Sequence, residues 1–270
     1  AEGRYQVTRA CIGRLAEAIG RYARAGPVLH ADDTPMPVLD PGRGKTKTGR
    51  LWVLVRDERP WGSTAPPAAF YRYSPDRKGE HAEVLLGSCR GFLHADAYAG
   101  FGGLYAPDPA TGQARLVEVA CWSHARRKLY DVHQATASPI AQDALERIAE
   151  LFAIEKAIRG QPPDRRLAVR QARARPLLDE LKRFLDTSLG RISSKSSLAQ
   201  AIRYATSRWD ALSRFITDGR LEMSNNAAER AIRPLALGRK NYLFAGADAG
   251  GERAAVLYTI IETAKLNGLD

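Results

Sequence analysis

Two stretches of this 270-residue sequence end alike, Leu29-His30-Ala31-Asp32 and Leu93-His94-Ala95-Asp96. Each closes a short apolar run that reads as a strand. Each therefore puts an acid at a strand's C-terminal end, the rim where α/β sheets bind ligands. Two carboxylates side by side repel, and each resists ionising unless a cation lies between them. Hard oxygen ligands at such a place suit Mg²⁺ or Mn²⁺. The plainer reading is that each Asp caps the turn that follows it, and for two acids in the same local context both readings stand. Asp33 follows Asp32, and successive strand residues face opposite sides, so only one of them can point at a metal. The repeated Leu-His-Ala-Asp register selects Asp32 and keeps Asp33 as the fallback.

A third acid, Glu229, lies in the run Ser224-Asn225-Asn226-Ala227-Ala228-Glu229-Arg230-Ala231-Ile232-Arg233-Pro234. Ser224 or an Asn can cap a helix here. Glu229 and Arg233 have the spacing of a surface ion pair, which is the plainer reading of that acid alone. Pro234 predicts a kink or an end to the helix, and Arg239, Lys240 and Asn241 follow Gly238 on a turn. A helix that brings one carboxylate to a metal, flanked by Arg230, Arg233, Arg239 and Lys240 within reach of phosphates, fits a phosphodiester site. Arg126, Arg127 and Lys128 are further candidates for DNA phosphates, or a solvated face. The Gly-rich loop at 41–49 lacks nucleotide P-loop spacing; Lys45, Lys47 and Arg50 remain candidate phosphate contacts. Cys121 and His124 are spaced as half a zinc site. A structural zinc needs four ligands and the sequence holds no second such pair, so a buried Cys and a helix-surface His are expected. Trp52, Tyr71 and Tyr73 read as strand core rather than base-stacking platforms.

Composition narrows the partners. Lys and Arg number 41 against 30 Asp and Glu, a net charge of +11. A globular chain this basic suggests a polyanion, nucleic acid first and an acidic membrane surface second. The mean hydropathy is −0.34, and no apolar run is long enough for a membrane span. The opening AEGRYQVTRA has no signal-peptide pattern. The three cysteines are far apart and make no disulfide framework, which fits a reducing cytoplasm.

These residues need a scaffold. Apolar periodicity predicts a helix over 5–25, strands over 28–32, 51–55 and 69–73, a helix over 79–87, and strands over 91–96 and 116–121. A further helix is expected between the last two strands. Helices over 141–158, 176–185, 197–216 and 251–266 follow, with linkers at 159–166 and 187–196. This is the element order of a ribonuclease-H-like fold. The expected class is α/β, a mixed five-stranded sheet with flanking helices. A large α-helical insertion separates the fifth strand from the helix bearing Glu229. The expected division is 1–26 as an N-terminal helix and linker and 27–135 as the first part of the core. Residues 136–220 form the insertion, and 221–270 supply the final helices.

Four segments together carry a family resemblance: HADDTPMPVLDPGRGKTKTGRLWVLVRD, GFLHADAYAGFGGLY, CWSHARRK and SNNAAERAIRPLALGRKNYLFAGADAGGERAA. They resemble the catalytic region of insertion-sequence-66 family transposases, from about residue 26 to the end. The resemblance implies a DDE enzyme of bacterial mobile elements, in which two Asp and one Glu hold two divalent metals, Mg²⁺ or Mn²⁺. By position those acids are Asp32, Asp96 and Glu229. The family commonly has Glu where this sequence has Asp33, which agrees with Asp32 as the ligand. The implied activity is phosphodiester hydrolysis at element ends and 3′-OH strand transfer into target DNA. DNA is the implied partner, with a homo-oligomer on DNA and accessory transposition proteins as further ones, no membrane, and a cytoplasmic, nucleoid-associated location. Full-length members resemble larger proteins with an N-terminal DNA- and zinc-binding region and a short C-terminal extension. The expectation is a catalytic piece shortened at both ends. Its rivals are a catalytically inactive DNA-binding remnant and a ribonuclease-H-like nuclease.

Overall fold

The computed structural model describes residues 2–42, 44–109, 111–238, 241 and 243–269, with side chains from residue 11 onward. Contacts divide the chain into two compact units. The first comprises 1–57, 65–118 and 226–270; the second comprises 58–64 and 119–225.

The first unit is built on a five-stranded mixed sheet of order β3-β2-β1-β4-β5. The strands are β1 (Val28–Val38), β2 (Lys47–Arg56), β3 (Ala68–Ser74), β4 (Gly91–Ala95) and β5 (Leu116–Ala120). The unit boundary falls inside β5. β1, β2 and β3 form an antiparallel meander, and β4 lies parallel to β1. This is the expected ribonuclease-H-like α/β arrangement. β2 carries an unbroken apolar run, Leu51 to Val55, because both of its faces are buried. Trp52 and Leu54 pack with Phe70, Leu85, Leu93 and Phe101 on one face. Leu51, Val53 and Val55 pack with Tyr71, Ala228, Ala231 and Leu235 on the other. Helices α1 (Glu2–Arg24) and α2 (Gly79–Leu86) cover the first face. The second is covered by α9 (Asn226–Gly238) and α10 (Asp248–Leu266), labelled in chain order after the helices of the other unit. Trp52 and Tyr71 are core residues as expected: the Trp52 indole donates to Ser74 Oγ at 2.7 Å and the Tyr71 hydroxyl to the Ala231 carbonyl at 2.7 Å. Tyr73 is half-buried, its hydroxyl on Asp248 at 2.5 Å.

The second unit is helical: α3 (Trp122–Thr136), α4 (Pro139–Ala157), α5 (Pro163–Val169), α6 (Arg175–Leu189), α7 (Ser197–Thr206) and α8 (Trp209–Ser213). α3 packs on α4 and α7, and α6 packs on α4 and α7. Ser138 and Ser196 cap α4 and α7, accepting the backbone N–H of Ala141 and Ala199. A π-helical turn, Arg170–Ala174, joins α5 to α6. Around it Arg170 is fully buried and holds Glu155 through Nε at 2.7 Å and Nη2 at 2.6 Å. Arg166, 1% exposed, binds Glu222 at 2.5 Å and the Leu221 carbonyl at 3.1 Å.

Four local expectations need correcting. The connection between β4 and β5 holds a 3-10 segment, Ala99–Tyr105, rather than an α-helix; its three glycines give little helical preference. The stretch 197–216 is broken into α7, α8 and a 3-10 turn, with Ser207 and Arg208 outside the helices. The expected linker 159–166 contains the start of α5, whose polar residues read as solvated but include the buried Arg166. Finally, of the kink or end expected at Pro234, the end is not seen: α9 runs through the proline to Gly238. The carbonyl that loses its donor belongs to Arg230, an exposed residue.

Candidate functional site

Strand register decides which acids can meet. In the parallel pair, Leu29 lies opposite Leu93 and His30 opposite His94, so the two tetrapeptides run in step. The His30 and His94 rings stack with centroids 4.4 Å apart. In the antiparallel pair, Asp32 lies opposite Val53 and Asp33 opposite Trp52. Cross-strand partners share a face. Val53 packs against α9 and Trp52 against the opposite layer. Asp32 therefore emerges on the α9 side and Asp33 on the other. Asp96 stands two residues beyond His94 and comes to the same side as Asp32 by the same alternation. Glu229 sits in the first turn of α9, beside Ala228 and ahead of Ala231, which anchor that helix to the sheet.

Asp32 feels the charges of the other two acids. The Asp32 carboxyl is pushed up to about 7, first by burial and then by the negative charges of Asp96, Asp33 and Glu229. The backbone N–H of Asp33, donating to Asp32 Oδ1 at 2.8 Å, opposes that shift without cancelling it. Among the described residues no Lys or Arg is an ion-pair partner of Asp32. Asp96 also caps the turn after β4, accepting the Tyr98 N–H at 3.1 Å. The capping reading of that acid is thus realised through this hydrogen bond.

Asp33 is differently occupied. Its side chain is 1% exposed and receives Arg77 through Nε at 3.0 Å to each oxygen and Nη2 at 2.7 Å. Arg50 Nη1 adds a contact at 3.1 Å. Arg77 Nη2 also lies 3.7 Å from Asp96 Oδ2, and its guanidinium stacks 4.1 Å over the Tyr98 ring. Burial alone would lower the Arg77 pKa, but the hydrogen bonds and charge of Asp33, with Asp96 adding, raise it overall. The Tyr98 hydroxyl donates to the Arg77 carbonyl, and a Cβ on Gly100 would overlap the Tyr98 ring, so glycine is needed there.

Oxygen donors from Asp32, Asp96 and Glu229 could hold a hard divalent cation, which would offset the burial and the acidic neighbours that raise the Asp32 pKa. The three acids do not form a cluster in which all ligand atoms lie within 4.8 Å of one another. The remaining candidates divide. Arg230 and Arg233 are exposed on α9. Arg239 and Lys240 lie outside the described residues. Arg126, Arg127 and Lys128 are exposed on α3 in the helical unit, with Arg126 near the Tyr130 ring and Lys128 4.7 Å from the Tyr204 ring. Lys47 is taken up by Asp248 at 2.7 Å and Arg50 by Asp33. Cys121 is buried and its Sγ accepts the Asn225 N–H at 3.2 Å. Sequence reasoning missed Arg77 and Tyr98. Neither belongs to a periodic pattern, and only the repeated register, by assigning Asp33 to the opposite face, hinted that this acid needs a cation of its own.

Comparison with known proteins gives a consistent picture. A model described as the Transposase IS66 family matches residues 5–253. Three proteins of Sinorhizobium fredii, each described as uncharacterized, are similar along almost the whole chain. The protein y4hP is 41% identical over 94% of this chain and 48% of its own length. The protein y4jD is 40% identical over 95% and 50%, and y4qI is 39% identical over 95% and 48%. The chain thus spans about half the length of these relatives.

Proposed function

Because the chain belongs to the IS66 family of transposases, we propose that it is the catalytic region of a DDE transposase acting on DNA. The observation that carries this reading is the convergence of Asp32, Asp96 and Glu229 on one side of the sheet rim, with Asp32 held near a pKa of about 7 by burial and by its acidic neighbours. Such a set is electrostatically incomplete without a cation. Asp32, Asp96 and Glu229 would hold two Mg²⁺ or Mn²⁺ ions. The chemistry such ions supply when bound is activation of a water and stabilisation of a leaving 3′ oxygen.

The chain's own residues account for the rest of the reaction. Asp32 would lose its proton to solvent if a cation occupied the site, and its carboxylate oxygens would then be among the groups that hold the ion. The α9 backbone fixes Glu229 through the apolar contacts of Ala228, Ala231 and Leu235. Arg230 and Arg233 project from the same helix into solvent and hold DNA phosphates by charge. Water oxygen forms the new bond to phosphorus and the 3′ oxygen leaves, so no serine or tyrosine nucleophile is needed. The freed 3′-OH then attacks a target phosphodiester in the same way, which is strand transfer. No helix among the described residues is long and apolar enough to cross a membrane.

The test is nicking of supercoiled DNA with Mn²⁺ present. Asp96→Asn is expected to lower the rate at least about a hundredfold, in line with removal of a group that stabilises transition-state charge, while the far-UV circular dichroism stays that of the parent. Nicking that persists undiminished in Asp96→Asn overturns the assignment.

A further inference from the structure

We propose that Arg77 is a phosphate-binding residue of this site: a guanidinium held rigid beside Asp96 that contacts the DNA backbone where the acids meet it. The inference rests on the transposase reading above and adds a residue that the family match does not single out.

The argument starts from Asp33. This carboxylate is 1% exposed and answered by two arginines, Arg50 at 3.1 Å and Arg77 at 2.7 Å. Arg50 can answer the buried Asp33 charge by itself, so Arg77 is shared between Asp33 and Asp96. Arg77 is the one directed toward the site. Three restraints fix it: the fork on Asp33 through Nε and Nη2, stacking on Tyr98, and the Tyr98 hydroxyl on its backbone carbonyl. Its approach to Asp96, 3.7 Å, is within ion-pair range but too long for a hydrogen bond. Arg77 therefore acts on Asp96 by charge and leaves the carboxylate's lone pairs available. Its Nη1 makes no hydrogen bond among the described residues, and the side chain is 36% exposed. A pre-oriented fork with a spare N–H suits a phosphate oxygen.

One charge then has two opposite consequences. Next to Asp96 it opposes a divalent cation while DNA is absent, and a phosphate seated on Arg77 removes that opposition. Arg77 makes filling of the acid site depend on bound DNA.

Both consequences are read on the full chain without turnover. In DNA-free protein, Mn²⁺ titration followed by electron paramagnetic resonance is expected to show about tenfold tighter binding in Arg77→Ala. Duplex binding by fluorescence anisotropy across a salt series is expected to weaken, and the slope of log K against log salt to shrink by about 0.9. Arg77→Lys keeps the charge, so its Mn²⁺ affinity should match the parent and its salt slope should be restored, with affinity for DNA only partly recovered. Loss of Mn²⁺ and DNA binding together in Arg77→Ala, or no change in either, overturns the proposal, because a merely structural side chain gives one or the other. If the parent chain shows no salt-dependent affinity for DNA, the transposase reading itself fails. If Mn²⁺ binding survives unchanged in Asp32→Asn and Asp96→Asn, the acid site fails independently of Arg77.

Discussion

The two units bury charge in opposite ways. In the helical unit, Glu155 and Glu222 face Arg166 and Arg170, and the arginines reach on to the carbonyls of Leu221, Phe215 and Asp218. Opposite charges meet, and the cluster neutralises itself, although Arg166 keeps Nε and Nη1 buried without a hydrogen-bond partner. At the sheet rim, Asp32 meets further acids and, among the described residues, no cationic ion-pair partner. The same residue types thus make a closed clasp in one region and an open demand in the other. What separates structure from chemistry is whether the charges balance within the chain, not whether they are buried.

The largest expected effect breaks the clasp. Glu155→Gln keeps the shape but leaves Arg166 and Arg170 short of a counter-charge. It should cost about 3–5 kcal/mol in urea unfolding. A loss below about 1 kcal/mol would show that the clasp is no tighter than a surface pair. The rim should answer in the other direction. Asp32 has a folded pKa of about 7 against an ordinary 3.8, so between those values the folded chain binds the extra proton. Stability therefore falls as pH rises through this window, and the cost is complete above it. Asp32→Asn, which stays neutral, should be more stable than the parent by about 1–3 kcal/mol at pH 8 in EDTA, with the gap closing toward pH 4. Adding Mg²⁺ at pH 8 should raise the melting temperature of the parent and not of Asp32→Asn. Equal melting curves at both pH values would remove the contrast between the regions. The smallest effect belongs to the pair that resembles neither. Lys47 and Asp248 sit 2.7 Å apart with side chains 32% and 45% exposed. Lys47→Ala should change unfolding free energy by no more than about 1 kcal/mol, and less still at high salt.

Much of this contrast could be read in the sequence, and the missing part has a physical cause. The element order implied the sheet in which β1 and β4 are neighbours, and the repeated tetrapeptides that end them lie in register in that parallel pair. Period-two alternation predicted that Asp32 and Asp33 face opposite sides, and the register opposite Val53 and Trp52 shows that they do; the preference for Asp32 came from the repeated tetrapeptide. Arg77 was invisible because its partner lies 44 residues away and the turn that carries it has no periodicity. Arg166 and Arg170 were invisible for a related reason. A charged residue reads as solvated until its counter-charge is known, and here those counter-charges come from α4 and from the segment before α9. Apolar patterns are written locally, whereas charge balance is a property of distant pairs.

The order of the units along the chain carries one more consequence. Asp32 and Asp96 belong to strands made early, and Glu229 comes only after the whole helical unit through Asn225 has been synthesised. A ribosome that stalls inside that unit releases a polypeptide with two of the three acids and without α9 over them. On the proposed reading, the full set of acids exists only on a chain translated past the insertion, so a shorter fragment would lack the complete site.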